Sequence, residues 1–400
     1  MSTSLFASVE MAPRDPILGL NEAYNAETNP AKVNLGVGVY FGDDGKIPLL
    51  AAVKTAEKAR LETQPPRGYQ PIEGTPAYNG AVQNLLFGKD SDLLAAGRAI
   101  TCQCLGGTGA LKVGADYLKR LLPDATVYIS DPSWENHRAL FEAAGFPVKD
   151  YAYYDAATRG VNFAGMKAAL AAMPAKSIVV LHACCHNPTG ADLTAAQWQE
   201  VVAAVKEKNL VAFIDMAYQG FADGIKQDAV ALDLFAASGL QFFVSSSFSK
   251  SFSLYGERVG ALTIVTASKD ESARVLSQVK RVIRTNYSNP PTHGGAVVAA
   301  VLSSPELRQL WEDELAGMRN RIRAMRNSLV EKLAANGANG FEFINVQRGM
   351  FSYTGLSAAQ VEKMRAEYGI YAVGTGRICV AALNTKNIDY VAKAIASVLK

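Results

Sequence analysis

Residues 241–260, QFFVSSSFSKSFSLYGERVG, carry the strongest indication of both fold and chemistry in this chain. The apolar run at 242–244 predicts a buried strand, and its serine-rich end is expected to open into a cleft of an α/β protein. Lys250 follows between two serines, eight residues before Arg258. A desolvated lysine beside an anion suits covalent attack on a phosphorylated carbonyl compound. A solvated lysine in a surface loop is the alternative, which this stretch alone favours because lysines are mostly exposed.

Composition limits the classes of function. The chain has 400 residues, of which 49% are hydrophobic and 19% charged, with a net charge of +3. This balance gives no basic stripe that would bind nucleic acid, and no apolar run approaches the length of a membrane span. The first residues, MSTSLFASVEMAPRDP, lack the basic and apolar regions of a secretory signal. We therefore expect a cytoplasmic protein without a nucleic-acid or membrane partner.

The five cysteines are odd in number and thinly spread, which predicts reduced, buried thiols. The segment His182–His186, HACCH, gathers four side chains capable of binding a metal. Adjacent cysteines of an extended segment point to opposite faces, and no second ligand pair follows at zinc-site spacing. We therefore predict no metal site.

The order of predicted elements indicates the fold class. Strands are predicted at 126–130, 177–181, 210–214, 241–247 and 260–266, the last one returning across the sheet, and helices are predicted between them. This alternation is typical of a mostly parallel sheet with right-handed crossovers. The chain is too long for one compact core, which suggests two subdomains or one large domain with an appendage. A long helix from Trp311 is expected to bridge to residues 341–400, predicted as strand, strand, helix, strand, helix.

A glycine-rich segment, GGTGAL at 106–111, opens one predicted helix. Gly107 and Thr108 would offer free backbone N–H groups and the positive end of the helix dipole to an anion. The segment matches neither the P-loop nor the dinucleotide fingerprint, so a generic phosphate site and a simple tight turn both remain open.

Other polar side chains follow the predicted strands. Trp134 could offer a flat face to a planar ring or could simply pack, and Asn187 could face the cleft or form a turn with Pro188. Asp215 comes directly after the apolar run LVAFI, with Tyr218 close behind. A carboxylate in that position needs a cationic or N–H partner, or its pKa must rise.

Together these strand ends and helix starts suit one molecule that carries a phosphate, a planar pyridine ring and an aldehyde. The residues that would serve it are Gly107, Thr108, Ser247 and Arg258 for the phosphate, Trp134 and Asp215 for the ring, Asn187 and Tyr218 for its oxygen, and Lys250 for the aldehyde.

Seven motifs then make a family resemblance specific. GGTGAL, DPSWENH, CCHNPTG, DMAYQGF, SFSKSFSLYGERVG, IRTNYSNPP and GRICVA occur in order, within a match that runs from about residue 14 to the C-terminus. The chain resembles the class I aminotransferases of the fold-type-I pyridoxal-phosphate group, in the aspartate/aromatic branch. FSKSFSLYGERVG and RGMFSYTGLSAAQV are most similar to bacterial aromatic-amino-acid (tyrosine) aminotransferases.

The resemblance implies an α/β fold, a mostly parallel mixed sheet flanked by helices with a smaller α+β domain. Its implied organisation is an N-terminal arm and part of the small domain at 1–45, a large cofactor-binding domain at 46–315, and a small C-terminal domain at 316–400.

The resemblance also implies residue roles. Lys250 would hold pyridoxal 5'-phosphate as a Schiff base and move the proton, Asp215 would keep the ring nitrogen protonated, and Tyr218 would assist. The remaining cofactor contacts would come from Gly107, Thr108, Trp134, Asn187, Ser247, Ser249 (more weakly), Arg258 and Tyr69.

On the substrate side, Arg377 would bind the α-carboxylate bidentately, and Gly38, Trp134 and Asn187 would line the site. Arg284 matches the family arginine that pairs with the distal carboxylate of dicarboxylic substrates. In the family Tyr69 and Arg284 reach the neighbouring subunit's site, so the resemblance implies a homodimer.

The resemblance favours transamination between phenylalanine or tyrosine, and also aspartate, and 2-oxoglutarate. A dedicated aspartate aminotransferase is the alternative, because aromatic-type members keep Arg284, and Thr108 stands where aromatic-type relatives carry serine. A pyridoxal-phosphate lyase or decarboxylase and a non-catalytic module on the same scaffold are further alternatives. The paired arginines Arg377 and Arg284 favour transamination, which binds dicarboxylates in one half-reaction.

Overall fold

The structure is a computed structural model that describes residues 4–13, 15 and 17–400. Residues 1–3, 14 and 16 of the predicted N-terminal arm lie outside the described residues. The strands are β1 (Val33–Asn34), β2 (Ala99–Leu105), β3 (Val127–Asp131), β4 (Val148–Ala152), β5 (Tyr154–Asp155), β6 (Gly160–Val161), β7 (Ile178–His182), β8 (Val211–Met216), β9 (Phe242–Ser247), β10 (Val259–Val265), β11 (Phe351–Tyr353), β12 (Ile370–Tyr371) and β13 (Arg377–Cys379).

The helices pack around these strands. They are α1 (Leu18–Ala26), α2 (Ala51–Thr63), α3 (Pro76–Phe87), α4 (Asp92–Ala95), α5 (Gly106–Leu121), α6 (Glu135–Ala143), α7 (Phe163–Ala172), α8 (Ala195–Glu207), α9 (Val230–Ala237), α10 (Lys269–Asn286), α11 (His293–Ser303), α12 (Pro305–Ala335), α13 (Phe343–Val346), α14 (Ala358–Tyr368) and α15 (Ile388–Val398). Among the residues just specified, no helix is both long and apolar enough to cross a membrane.

The central sheet has seven strands in the order β2-β10-β9-β8-β7-β3-β4. Strands β9, β8, β7, β3 and β4 pair in parallel, whereas β10 runs antiparallel to both of its neighbours. The predicted mostly parallel mixed sheet is confirmed, and so is the returning strand. Helices cover both faces, which explains why β9 and β10 are buried at every position and why β10 has a near-continuous apolar sequence.

Local sequence fixes the helix starts around this sheet. At α8 the Thr194 side chain accepts from the Gln197 N–H, and the Gln197 side chain accepts from the Thr194 N–H. This capping box satisfies two donors that the first turn leaves free, and such a cap contributes about 1 kcal/mol. In α5, Leu111, Ala115 and Leu118 are buried at helical spacing, which seats that helix on the sheet.

The two ends of the chain meet beside the central sheet. Strand β1 pairs in parallel with β12, and β11 pairs antiparallel with β13. Helix α12 has 31 residues, so it is about 46 Å long. Its buried positions include Trp311, Leu315 and Ile322, as the sequence predicts, and it contacts both α2 and α15.

One local prediction is wrong. The strand expected from residue 341 is the short helix α13, because Phe341 and Ile344 are the buried positions, and their separation of three residues fits a helical turn. Near the other end of the chain, strand geometry over residues 33–40 is confined to β1. The Asn34 side-chain oxygen accepts the Gly36 N–H at 3.0 Å, and this local turn ends the pairing.

Candidate active site

One cavity of about 660 Å³ opens where the carboxyl ends of the parallel strands meet the start of α5. Because β10 is antiparallel, its amino end lies at the same edge of the sheet and brings Arg258 there. Twelve of the fourteen predicted site residues line this cavity: Gly38, Gly107, Thr108, Trp134, Asn187, Asp215, Tyr218, Ser247, Ser249, Lys250, Arg258 and Arg377.

Lys250 lies in the turn after β9 and points into the cavity. Its Nζ lies 4.8 Å from the centroid of the Tyr218 ring. Burial lowers the pKa of Lys250 to about 8, with a smaller lowering by Arg258 and an opposing effect of Asp215. At pH 7 about one tenth of this amine is therefore uncharged, far more than for an exposed lysine, and the uncharged form is the one that acts as a nucleophile or proton acceptor.

Asp215 is the fifth residue of β8 and is held by two side chains. Its Oδ2 lies 2.9 Å from His137 Nε2, and its Oδ1 accepts the Ser245 hydroxyl at 2.8 Å. Burial raises the pKa of Asp215, but these hydrogen bonds and the nearby histidines outweigh burial, so the net pKa is lowered. The carboxylate is therefore anionic and can stabilise a protonated ring nitrogen.

A chain of hydrogen bonds fixes the histidine tautomers behind Asp215. The Asn187 N–H donates to His182 Nδ1 at 3.2 Å, so a neutral His182 carries its proton on Nε2. That Nε2 lies 3.3 Å from His137 Nδ1, which leaves the His137 proton on Nε2, facing Asp215. Burial, together with a smaller effect of neighbouring His137, lowers the pKa of His182 to about 3, so His182 stays neutral. Every donor in this chain points towards the carboxylate.

The polar end of β9 and the first turn of α5 form an anion cradle. Arg258 Nη1 donates to Ser249 Oγ at 3.2 Å, and the Ser249 N–H donates to Ser247 Oγ. A Cβ atom on Gly106 would lie 2.5 Å from Arg258 Nη2, and one on Gly107 would lie 3.1 Å from the Ser247 Cβ. The glycines therefore let a guanidinium, a hydroxyl and the N–H groups of the helix start converge, which fits a phosphate group.

Arg377 begins β13 and is 3% exposed. Its Nη1 donates to Asn187 Oδ1 at 3.0 Å, and its Nη2 donates to the Gly36 carbonyl at 2.6 Å. Its Nε is buried without a hydrogen-bond partner. A buried guanidinium with an unused donor in a cavity is a site for a carboxylate ligand.

Tyr69 and Arg284 do not join this cavity. Tyr69 is 96% exposed, and the exposed Arg284 donates to Ser288 at the end of α10. Within a single chain, neither side chain lines the pocket that holds Lys250.

Several side chains of the site are not predicted from the sequence, among them His137, Tyr255 and Phe351. His137 binds Asp215, Tyr255 lines the cavity and accepts the Tyr40 N–H at 2.9 Å, and the ring of Phe351 lies 4.3 Å from the Arg377 guanidinium. His137 could have been found, because a buried Asp215 requires a partner and DPSWENH was already placed at the same edge. Phe351 carried no comparable indication.

The two adjacent cysteines of HACCH do not point to opposite faces as predicted. Cys185 has φ +53°, so the segment is not extended there, and both thiols lie on one side with Asp228, all three ligand atoms within 4.8 Å. Each Asp228 oxygen already accepts two backbone N–H groups. The contact with Cys185 and then burial raise the pKa of the Cys184 thiol well above its usual value, and burial raises that of Cys185 to about 12. The contacts of Asp228 and the protonated thiols account for this cluster.

Comparisons with known proteins agree with the geometry. The family model "Aminotransferase class I and II" matches residues 30–395. An aspartate aminotransferase of Pseudomonas aeruginosa is 70% identical over 99% of this chain and 100% of its own length. An aromatic-amino-acid aminotransferase of Escherichia coli is 50% identical over 99% of this chain and 100% of its own length.

Among solved structures, the aromatic-amino-acid aminotransferase of Burkholderia pseudomallei, covalently bound to pyridoxal phosphate, is 69% identical. It covers 100% of both chains with a TM-score of 0.97. These matches confirm the aspartate/aromatic branch that the motifs indicated.

Proposed function

This chain belongs to the class I and II aminotransferases, and from that premise we propose that it transfers the amino group between an aromatic amino acid and 2-oxoglutarate, and also accepts aspartate. The products would be the corresponding 2-oxo acid and glutamate. Its cofactor is pyridoxal 5'-phosphate, as the family and the likeness to the Burkholderia pseudomallei structure indicate.

The residues of the cavity divide into a reactive group and an anchoring group. Bound pyridoxal phosphate supplies an electron sink for the negative charge that develops at the substrate Cα. Lys250 is proposed to attach the cofactor and then to carry the proton from the substrate Cα, which its lowered pKa supports. Asp215 keeps the ring nitrogen protonated, and His137 and Ser245 keep Asp215 ionised.

The anchoring residues are proposed to bind without taking part in proton transfer. Gly107, Thr108, Ser247, Ser249 and Arg258 would hold the phosphate. Trp134 would stack on the ring, while Asn187 and Tyr218 would contact its oxygen. Their convergence on one cavity supports this assignment.

The observation that carries the substrate proposal is that buried Arg377 lines the cavity of Lys250 and that its Nε has no hydrogen-bond partner. Burying a cation without a carboxylate is unfavourable, and a substrate α-carboxylate would supply the missing partner. Gly38 lies beside this end of the cavity, since a Cβ there would lie 2.6 Å from the Phe351 ring. We propose that Gly38 lets the chain close over the bound substrate.

A dedicated aspartate aminotransferase is the second candidate. The 70% identical relative carries that name, whereas the structure at 69% identity is an aromatic-amino-acid aminotransferase. Both activities need Arg377 and Lys250, so the cavity residues named above do not separate them.

We further propose a homodimer in which Tyr69 and Arg284 serve the cavity of the neighbouring subunit. Their exposure outside their own cavity supports this arrangement. The proposed domains are an N-terminal arm with part of the small domain at 1–45, a large domain at 46–315 and a small domain at 316–400, which the pairing of β1 with β12 supports. A cytoplasmic location is proposed from the five free cysteines.

Stopped-flow measurement of the first half-reaction with phenylalanine, tyrosine and aspartate, side by side, tests the substrate proposal. Rate constants within about 10-fold of one another, a difference of about 1.4 kcal/mol in barrier height, would support dual specificity. Reaction with aspartate alone would establish the second candidate. An Arg377→Met protein serves as the control, because it should lose all three reactions together.

A further inference from the structure

Arg326, in the middle of α12, is a buried cation whose hydrogen bonds all go to backbone carbonyl groups. It is 2% exposed. Its Nη1 donates to the Ile344 carbonyl at 3.1 Å, and its Nη2 donates to the carbonyls of Gly349 at 2.8 Å and of Phe351. Burial lowers its pKa to about 10, so the guanidinium remains charged at neutral pH.

The segment that Arg326 holds delivers an aromatic ring to the active site. Phe351 follows this segment as the first residue of β11, and its side chain lines the cavity. The ring makes an edge contact with Tyr218, with the centroids 6.0 Å apart. Because the carbonyl of Phe351 is one of the three acceptors, Arg326 fixes the backbone from which the ring projects.

The same ring lies against the substrate-binding arginine. The guanidinium carbon of Arg377 is 4.3 Å from the ring centroid of Phe351, a cation–π distance. The two Nη atoms of Arg377 are fixed by Asn187 and Gly36. The phenyl ring therefore closes one face of the guanidinium and sets the plane in which Nε remains available.

We propose that Arg326 is a positioning residue for substrate binding: it fixes Phe351, whose ring holds Arg377 in the plane that the substrate carboxylate must share. This inference rests on the proposed role of Arg377. A shift of about 1 Å in such a support is enough to weaken a bidentate contact strongly. Arg326 itself touches no substrate.

A purely structural role makes a different prediction. If Arg326 only anchored α12, its loss would leave three buried carbonyl groups without a donor and lower the stability of the fold, but it would not weaken carboxylate binding selectively in protein that still folds. Arg323, one turn earlier on α12, provides the matched control, because it donates to the Ala222 carbonyl and to Asp223 and not to residues 344–351.

The test compares holoenzymes carrying Arg326→Met, Phe351→Leu or Arg323→Met with the wild type. Binding of 3-phenylpropanoate and of succinate, two unreactive carboxylates, is measured by isothermal titration calorimetry. Cofactor affinity is measured separately by titrating each apoprotein with pyridoxal phosphate and following absorbance.

We expect Arg326→Met and Phe351→Leu to raise the Kd of both carboxylates about 10-fold, with cofactor affinity within about two-fold of wild type. Arg323→Met should change neither quantity by more than about two-fold. An unchanged carboxylate Kd in Arg326→Met, or a parallel loss of carboxylate and cofactor affinity, would overturn the proposal.

Two further outcomes keep the test decisive. If Arg326→Met does not fold, Arg326→Lys takes its place, because lysine keeps the charge but cannot reach three carbonyl groups at once, and the same 10-fold change is expected. Wild-type protein that binds neither carboxylate would refute the proposed substrate class itself, and so the two failures are distinguishable.

Discussion

Asp215 and Arg377 are both largely buried charged side chains of one cavity, yet only Asp215 has a hydrogen-bond partner for each of its charged atoms. Both oxygens of Asp215 accept hydrogen bonds from side chains, one from His137 and one from Ser245. Two of the three guanidinium nitrogens of Arg377 donate to Asn187 and Gly36, and the third, Nε, has no partner.

The difference matches the proposed roles: Asp215 would stay ionised throughout the reaction, whereas Arg377 would bind and release a ligand in each turnover. A group that must keep one charge state throughout the reaction is surrounded by partners that stabilise that state. A group that must exchange ligands at each turnover keeps one donor free, and the desolvation of that donor favours binding of a carboxylate. The predictions below test this contrast.

Removing Asp215, whose two oxygens both have hydrogen-bond partners, should have the largest effect on activity. We expect Asp215→Ala to lower the rate of the half-reaction with an amino acid on the order of 10³-fold, because the ring nitrogen loses the group that keeps it protonated. Stopped-flow spectroscopy measures this rate directly. Ser245→Ala, which removes only one of the two hydrogen bonds to Asp215, is the control and should cost less than about 10-fold. Comparable losses in the two proteins would contradict the assigned role.

Replacing Arg377, whose Nε has no partner, should have a smaller effect that is confined to substrate binding. We expect Arg377→Lys to lower kcat/KM for every amino acid about 100-fold, because an ammonium group cannot bind a carboxylate bidentately. Cofactor affinity, measured by titrating the apoprotein, should stay within about two-fold of wild type. An equal loss of cofactor binding would mean that Arg377 supports the cavity as a whole.

Removing one partner of Asp215 should move the pH profile. In His137→Phe the burial that raises the pKa of Asp215 is no longer outweighed, so this pKa should rise. Ionised Asp215 is then lost at a higher pH than in the wild type, and activity on the acid side should fall by about 10-fold, which corresponds to the loss of one hydrogen bond to a charged group.

The control for this profile is Ser133→Ala. Ser133 contacts the opposite nitrogen of the His137 ring, so its loss leaves the hydrogen bond to Asp215 in place. We expect the acid limb of kcat/KM to stay where it is in this protein. Identical profiles for His137→Phe and wild type would show that Ser245 and His182 suffice.

The smallest effect concerns Lys250 before the cofactor is bound. Since burial lowers its pKa to about 8, the uncharged fraction of the amine rises about five-fold between pH 7 and pH 8. The rate at which the apoprotein takes up pyridoxal phosphate should rise by the same factor and level off above pH 9. A rate that increases steadily up to pH 10 would mean that Lys250 keeps the pKa of an exposed lysine.

The sequence predicts the surroundings of Asp215 and Lys250 better than those of Arg377. Lys250, Asp215 and Asn187 each follow an apolar run that becomes a parallel strand, so their shared edge is predictable from the chain order. The partner of Asp215 is not, because His137 reaches it only through the placement of α6. Phe351 and Arg326 depend on how residues 344–351 fold back, and there the predicted strand is a helix.

The hydrogen bonds that hold the anion cradle and those that hold Arg377 also span very different lengths of chain. Ser249 and Arg258, which form the anion cradle, are 9 residues apart, whereas Arg377 and Gly36 are 341 residues apart. During synthesis the last cradle residue is therefore made 119 residues before Arg377, since 377 minus 258 is 119. At about 5–20 residues per second this interval lasts roughly 6–24 s on the ribosome. A nascent chain thus has time to assemble its phosphate-binding turn, and to gain stability from the cofactor, before the residue proposed to bind the substrate α-carboxylate has been translated.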